Sequence, residues 1–321
     1  MKNNILEAIG NTPLVKLNKL AENLKPNIYV KLEFLNPSGS IKDRMAIFMI
    51  EDAEKKGLLK PGGTIVENTS GNTGAALAMI AAAKGYKAIL TVSDKTSMEK
   101  IDALKALGAK VVVCPSDVAA DSPESYCETA KRIANETINS FFPNQYNNPG
   151  NPEAHYKTTG PEIWKQTKGS LDYLVAGIGT GGTFSGTAKF LKEKDLKIKA
   201  VAADPEGSIF YEYFKTGKLI EPRQYKVEGI GQDHLVNAMD FSLVDDIIQV
   251  DDKESFLMAR RLAKEEGIFA GGSSGSAVSA AIKLAETIDE EKNIVVILPD
   301  SGFKYLSKIF NDSWMKENGF L

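Results

Sequence analysis

Asp172-Tyr173-Leu174-Val175-Ala176-Gly177-Ile178-Gly179-Thr180-Gly181-Gly182-Thr183 is the stretch that decides the fold. Residues 172–176 read as a strand, and residues 177–183 turn that strand directly into a helix. Glycines at 177, 179 and 182 fit G-x-G-x-x-G, and Asp204 lies 22 residues beyond Gly182 at the end of the next strand. This is the context of a dinucleotide-binding turn, so a nicotinamide-dependent dehydrogenase is one reading. The physics of the turn is broader. Backbone N–H groups at a helix N-terminus point at a phosphate, whether it belongs to a pyrophosphate or to a single phosphate ester.

The alternation continues on both sides. Downstream, residues 198–203, 246–250 and 294–298 read as strands, with helices at 209–214, 253–266 and 276–288. Upstream, a turn at Gly10 leads into a short strand at Leu14, and residues 28–32, 64–67, 88–92 and 110–114 read as strands. Helices follow Lys42 and Thr69, the second ending at Gly85. Thr96 and Glu99 form a capping-box pattern for a helix that stops at Gly108, and Ser122-Pro123 reads as the cap and first residue of another. Strands alternating with helices predict parallel, doubly wound α/β architecture. Residues 144–152, rich in Asn, Pro and Gly, mark a domain boundary.

The chain has 321 residues, enough for about two domains, with 43% hydrophobic and 25% charged residues, as in ordinary globular proteins. A net charge of -3 argues against a nucleic-acid partner, which would require clustered excess Lys and Arg. The N-terminus has no apolar targeting segment, and the apolar run at 75–83 is too short to span a bilayer, so no membrane association is expected. Cys114 and Cys127 make neither a disulfide framework nor a metal spacing, and a reducing cytoplasm is expected. With His155 and His234 as the two histidines, no histidine-built metal site is expected.

Two further turns carry polar chemistry. Gly271-Gly272-Ser273-Ser274-Gly275 fits the G-x-S-x-G nucleophile elbow, but no histidine follows Ser273 to complete a hydrolase triad. What remains is a serine hydroxyl offered to something polar, or a structural Gly-Ser turn. Thr69-Ser70-Gly71-Asn72-Thr73-Gly74 opens a helix with hydroxyls, an amide and backbone N–H groups, which suits a carboxylate or serves simply as a helix cap. Lys42 stands where the turn Asn36-Pro37-Ser38-Gly39-Ser40 meets a helix N-terminus, a poor place for a cation. A lone lysine is ordinarily a solvated one. Facing glycine-rich turns, its amine could instead carry a carbonyl cofactor as a Schiff base.

N-P-S-G-S-I-K-D-R, T-S-G-N-T-G, G-T-G-G-T and G-G-S-S-G-S, in this order and spacing, resemble the cysteine synthase and cystathionine β-synthase family of fold type II pyridoxal phosphate enzymes. V-E-G-I-G-Q-D at 227–233, D-S-P-E-S at 121–125 and the ending W-M-K-E-N-G-F-L look closer to the cystathionine branch. The resemblance implies pyridoxal 5'-phosphate as cofactor and a tryptophan synthase β-like fold of two doubly wound domains. The larger would comprise residues 1–44 and 150–321, and the smaller, mobile one residues 45–149. It implies Lys42 as the lysine that holds the cofactor and acts as acid and base. Asn72 would bond the ring hydroxyl, Gly179, Thr180, Gly181, Gly182 and Thr183 the phosphate, and Ser273 the pyridine nitrogen. Thr69, Ser70, Gly71, Thr73 and Gln145 would bind the substrate carboxylate, with Gly231 and Gln232 at the second substrate. These matches demote the dinucleotide reading.

The implied reaction is β-replacement on L-serine or an activated serine through an aminoacrylate. Serine with homocysteine, giving cystathionine, is favoured, and O-acetylserine with sulfide, giving cysteine, is the alternative. The implied partners are small amino-acid and thiol substrates, in a cytoplasmic homodimer. Animal members of the cystathionine branch carry a haem-binding N-terminal extension and a tandem C-terminal regulatory module. A chain running from Met1 to Leu321 is expected to lack both. Where those enzymes have a tyrosine, this chain has Gln232.

Overall fold

A computed structural model describes every residue except Ser70 and Ala120. Among the described residues the strands are β1 Leu14–Lys16, β2 Asn27–Leu32, β3 Thr64–Asn68, β4 Lys87–Ser93, β5 Lys110–Cys114, β6 Ser140–Phe141, β7 Tyr173–Gly177, β8 Lys199–Pro205, β9 Asp246–Val250 and β10 Asn293–Leu298. The helices are α1 Lys42–Lys55, α2 Asn72–Lys84, α3 Met98–Ala106, α4 Tyr126–Glu136, α5 Gly150–Lys157, α6 Thr159–Gln166, α7 Gly182–Lys194, α8 Phe210–Thr216, α9 Asp252–Glu266, α10 Gly272–Glu286 and α11 Asp312–Glu317. The chain forms two compact units, Met1–Ile9 with Asn36–Asn151, and Gly10–Leu35 with Pro152–Leu321. The last division, between Asn151 and Pro152, lies inside α5 and within the stretch 144–152. Residues 1–9 and 36–44, expected in the larger domain, cluster instead with the first unit.

The first unit holds a four-stranded sheet in the order β5-β4-β3-β6, parallel throughout. Ile65, Leu90 and Val92 bury against Ala46 and Ile50 of α1 and Ala76, Leu77 and Ile80 of α2. The alanines of α2 allow close approach to α1 and the sheet. Because β3 has β4 on one side and β6 on the other, the loop leaving its C-terminal end sits at a switch point, the usual ligand position in such sheets.

The second unit holds a six-stranded sheet in the order β1-β2-β10-β7-β8-β9, with only the β1–β2 pair antiparallel. Its core joins Val30, Val175, Val201 and Val296 from the sheet to Ala277, Val278 and Ala281 of α10. Here β7 is the central switch strand, flanked by β10 and β8, and residues 177–183 leave its C-terminal end. Helix α10 lies hard against α9. A Cβ on Gly275 would stand 1.9 Å from the Ser255 carbonyl oxygen, and Ser276 Oγ donates to Ser255 Oγ at 2.7 Å. Lys31, fully buried in β2, is held by the Thr12 carbonyl at 2.6 Å, Glu162 at 2.9 Å and Gln166 at 3.0 Å. Its amine is committed to tying α6 to the sheet.

Three expected helix starts differ. The helix assigned to Thr96 begins at Met98 with Ser97 at the cap, because the Thr96 N–H is taken by the Ser93 carbonyl in a turn. The helix assigned to Ser122-Pro123 begins at Tyr126, where Ser125 Oγ accepts the Glu128 N–H at 3.2 Å. The helix read from Ser276 begins at Gly272.

Candidate active site

In the first unit, Lys42 is the first residue of α1 and half-buried; Ile41 at the cap makes no side-chain hydrogen bond, and Ser40 Oγ accepts the Lys42 N–H at 3.4 Å. The turn before it is locally determined. Gly39, at φ +78°, gives its N–H to the Asn36 carbonyl at 2.8 Å. The buried Asp43 carboxylate accepts the Ser38 N–H at 2.8 Å as well as the Ser38 hydroxyl. The lysine therefore projects from a turn that its own neighbour locks.

The loop from β3 to α2 is similarly folded on itself. Thr69 Oγ1 accepts the N–H groups of Gly71 and Gly74, each at 3.0 Å. Gly71, at φ +142°, turns the chain into the helix that Asn72 begins. Thr73 Oγ1 donates to Gln145 Oε1 at 2.7 Å, and Gln145 Nε2 donates to the Asn68 carbonyl at 3.4 Å. One Gln145 amide hydrogen thus remains for a ligand, while Thr69 and Thr73 shape the turn around it. The Lys100 side chain lies over Gly71, its Nζ 3.7 Å from where a Cβ would stand. Ser70, expected in the same carboxylate site, lies outside the described residues.

Glu67, at the end of β3, was not anticipated. It is fully buried, and burial pushes its carboxyl up to about 8, against the pull of the Asn68, Gln145 and Asn144 N–H groups. Its Oε2 has no hydrogen-bond partner among the described residues. The Gln145 and Asn144 amides therefore act on it as nearby dipoles.

In the second unit, Gly181 adopts φ +82° at the head of α7, and no side chain caps the helix. The Ser185 N–H bonds the Gly181 carbonyl at 2.9 Å, and the amides of Gly181, Gly182 and Thr183 find no acceptor among the described residues. No acidic residue lies in the first turn. The glycines are dictated largely by protein packing. A Cβ on Gly179 would lie 2.5 Å from the Gly229 carbonyl oxygen, and one on Gly181 would lie 2.4 Å from Met239 Cβ. Thr180 precedes the helix, and Thr183 Oγ1 is 3.2 Å from Nε2 of the buried His155.

Ser273 lies in the first turn of α10, 3% exposed, and its hydroxyl makes no hydrogen bond to another described residue. Gly231 packs onto the turn at 177–183 through its N–H, 2.7 Å from the Ile178 carbonyl. Gln232 is bonded both ways along its backbone, its N–H to Ser208 Oγ at 3.1 Å and its carbonyl to the Ile209 N–H at 3.0 Å. Its side-chain amide is half-buried and bonds no described residue. His234 points outward instead, exposed and 2.5 Å from Asp233 Oδ1. Asp204, which a dinucleotide fold would present to a ribose, is buried and accepts the Tyr211 N–H at 3.1 Å. Burial raises its carboxyl to about 7, against hydrogen bonds from Ser208 and Tyr211. Turned inward in this way, it fits no ribose.

The family model described as pyridoxal-phosphate dependent enzyme matches residues 5–300. The chain belongs to that family. It is 51% identical over 319 residues to cystathionine beta-synthase of Apis mellifera, covering 99% of this chain and 63% of that one. Cysteine synthase 1 of Emericella nidulans is 42% identical over 322 residues, covering 99% of this chain and 87% of that one. The crystal structure of O-ureido-L-serine synthase superposes with a TM-score of 0.89 at 37% identity, covering 98% and 99% of the two chains. The chain spans 57% to 64% of the length of the cystathionine beta-synthases it matches.

The residues fit the family's cofactor. An uncapped helix with acceptor-free amides and no carboxylate suits a phosphate, and the Ser273 hydroxyl, which bonds no described residue, suits a ring nitrogen. Among the described residues, no group of three His, Cys, Asp or Glu could hold a metal ion, and no helix is long and apolar enough to cross a membrane.

Proposed function

We propose that the chain catalyses β-replacement on L-serine with homocysteine as the incoming thiol, giving cystathionine and water. Its 51% identity to a cystathionine beta-synthase, against 42% to a cysteine synthase, carries this reading. The Gln232 amide, which bonds no described residue, supports it, since an amide beside the site can recognise the polar end of an amino-acid thiol. A second reading, O-acetylserine with sulfide, is favoured by the 42% identity to cysteine synthase 1 of Emericella nidulans, of which the chain covers 87%.

Pyridoxal phosphate, when bound, supplies an aldehyde for an amine and an electron sink for the charge left at Cα. The amides of Gly179, Gly181 and Gly182, with Thr180 and Thr183, hold its phosphate. Asn72 bonds the ring hydroxyl. Ser273 bonds the ring nitrogen as a neutral hydroxyl, a weaker proton source than a carboxylic acid. Gln145 donates its remaining amide hydrogen to the serine carboxylate, joined by Ser70, while Thr69, Thr73 and Gly71, whose own N–H is taken by Thr69 Oγ1, shape the turn. Lys42 would hold the cofactor's aldehyde until a substrate amine takes its place, and its freed amine would remove the Cα proton. The β-hydroxyl would depart as water with the proton that Lys42 has taken, the thiol would give its proton to Lys42 as its sulfur bonds to Cβ, and Lys42 would return that proton to Cα. Gly231 lets the backbone approach the second substrate while Gln232 bonds it. A cytoplasmic homodimer belongs to the same proposal.

Borohydride treatment followed by peptide mapping tests the core of it. Purified protein should be yellow, lose its colour on reduction and carry the reduced cofactor on Lys42. Label on another lysine would refute the assignment.

A further inference from the structure

His155, on α5, is fully buried, with Nδ1 2.9 Å from Thr159 Oγ1 and Nε2 3.2 Å from Thr183 Oγ1. Thr159 opens α6 and Thr183 lies in the first turn of α7, so one imidazole joins three helices. Gly186 makes the junction possible. A Cβ there would stand 1.9 Å from the Pro152 carbonyl oxygen and 2.9 Å from His155 Cβ, so a larger residue would force α7 away from α5. The β-replacement chemistry of Lys42, Asn72 and Ser273 makes no use of this histidine.

Counting protons gives it a role. A neutral imidazole has one donor and one acceptor nitrogen, and the Thr183 hydroxyl has a single proton. With the ring proton on Nδ1, Nε2 must take the Thr183 proton, and the hydroxyl then turns only lone pairs outward, which repel an anion. With the ring proton on Nε2, the ring donates to Thr183 Oγ1 and Nδ1 accepts from Thr159. The Thr183 proton is then free to point at a ligand. Thr159 is fully buried and its hydroxyl bonds no other described side chain, so Nδ1 is the acceptor open to it. The bond made by one ring nitrogen sets the role of the other.

We propose that His155 is a positioning residue of the phosphate site. Through the series Thr159, His155, Thr183 it fixes the Thr183 hydroxyl as a donor to the cofactor phosphate. This rests on the reading of residues 179–183 as the phosphate loop, and the test separates the two.

Full-length wild type, Thr183→Val, His155→Asn and His155→Gln are titrated with pyridoxal phosphate and with pyridoxal, which lacks the phosphate. Glutamine places its amide nitrogen near the position of Nε2, whereas asparagine reaches only that of Nδ1. Thr183→Val and His155→Asn should each weaken pyridoxal phosphate binding about tenfold, the scale of one hydrogen bond to a charged group, and leave pyridoxal binding unchanged. His155→Gln should recover most of the loss. In the loaded wild type, nitrogen-15 NMR should find the His155 proton on Nε2, with a single other histidine to distinguish. A proton on Nδ1, or equal weakening of both ligands in His155→Asn, overturns the inference. Loss in Thr183→Val but none in His155→Asn also overturns it, while the phosphate-loop reading stands. No loss in either variant removes both.

Discussion

The Thr73 hydroxyl donates to Gln145 Oε1 at 2.7 Å, joining the first turn of α2 to a loop 72 residues further along the chain. The bond holds the Gln145 amide with one hydrogen to spare beside a turn whose backbone Thr69 has already folded. Thr73→Val keeps the shape and removes the proton that fixes Gln145. Steady-state kinetics should show KM for serine raised about tenfold, the scale of one hydrogen bond to a charged group, with kcat and the absorption spectrum of the bound cofactor nearly unchanged. An equal fall in kcat with unchanged KM would place Thr73 in the chemical step instead.

Lys42→Ala removes the positioned base. Turnover should fall by about a thousandfold or more, the scale of general acid–base catalysis. The variant should still bind the cofactor through the loop at 179–183, and added small amines should restore part of the rate. Retention of near-normal β-replacement would be incompatible with the role given to this lysine.

Ser273→Asp should damage chemistry more than folding. The residue is buried in the first turn of α10 and its hydroxyl bonds no described residue, so a carboxyl there would find the ring nitrogen and hold a proton on it. A more strongly electron-withdrawing ring retains charge and slows departure of the β-substituent. A lower kcat with a melting temperature close to wild type is expected. Unchanged kinetics would make Ser273 a turn residue only.

Glu67 ties stability to pH. Its carboxyl, ordinarily near 4.5, is pushed to about 8 in the folded chain by burial. Between these values the folded chain keeps a proton that the unfolded chain has released. The group's contribution to stability therefore falls as pH rises through that window and levels off above it. Glu67→Gln removes the titration while keeping the shape of the protonated side chain. The melting temperature of the variant relative to wild type should rise steadily from pH 5 to pH 8. A constant difference would mean that Glu67 is ionised in the fold.

The alternation of parallel strands and helices was legible because each strand is a short apolar run and each switch-point loop is marked by glycine or by Thr and Ser. Helices α5 and α6 were not legible. Pro152, Thr158, Gly160 and Pro161 carry turn chemistry, and the two helices are stabilised by packing, with His155 and Ile163 fully buried. Helix α10 starts earlier than its pattern suggests because Gly272 to Gly275 have weak helix propensity, which burial against α9 overrides. In the site, the turns around Lys42, Asn72, Thr180 and Ser273 could be read from local composition. The burial of Glu67 and Asp204, and the bridge from His155 to Thr183, could not, because each depends on neighbours distant in the chain.

The choice of thiol is the central claim, and kcat/KM for two donor–thiol pairs tests it most directly. Serine with homocysteine and O-acetylserine with sulfide should be compared in wild type and in Gln232→Ala. The account predicts a clear preference for serine with homocysteine in wild type and a loss of that preference in the variant, because sulfide is too small to gain from the Gln232 amide. A preference for O-acetylserine with sulfide that the substitution leaves untouched would contradict it.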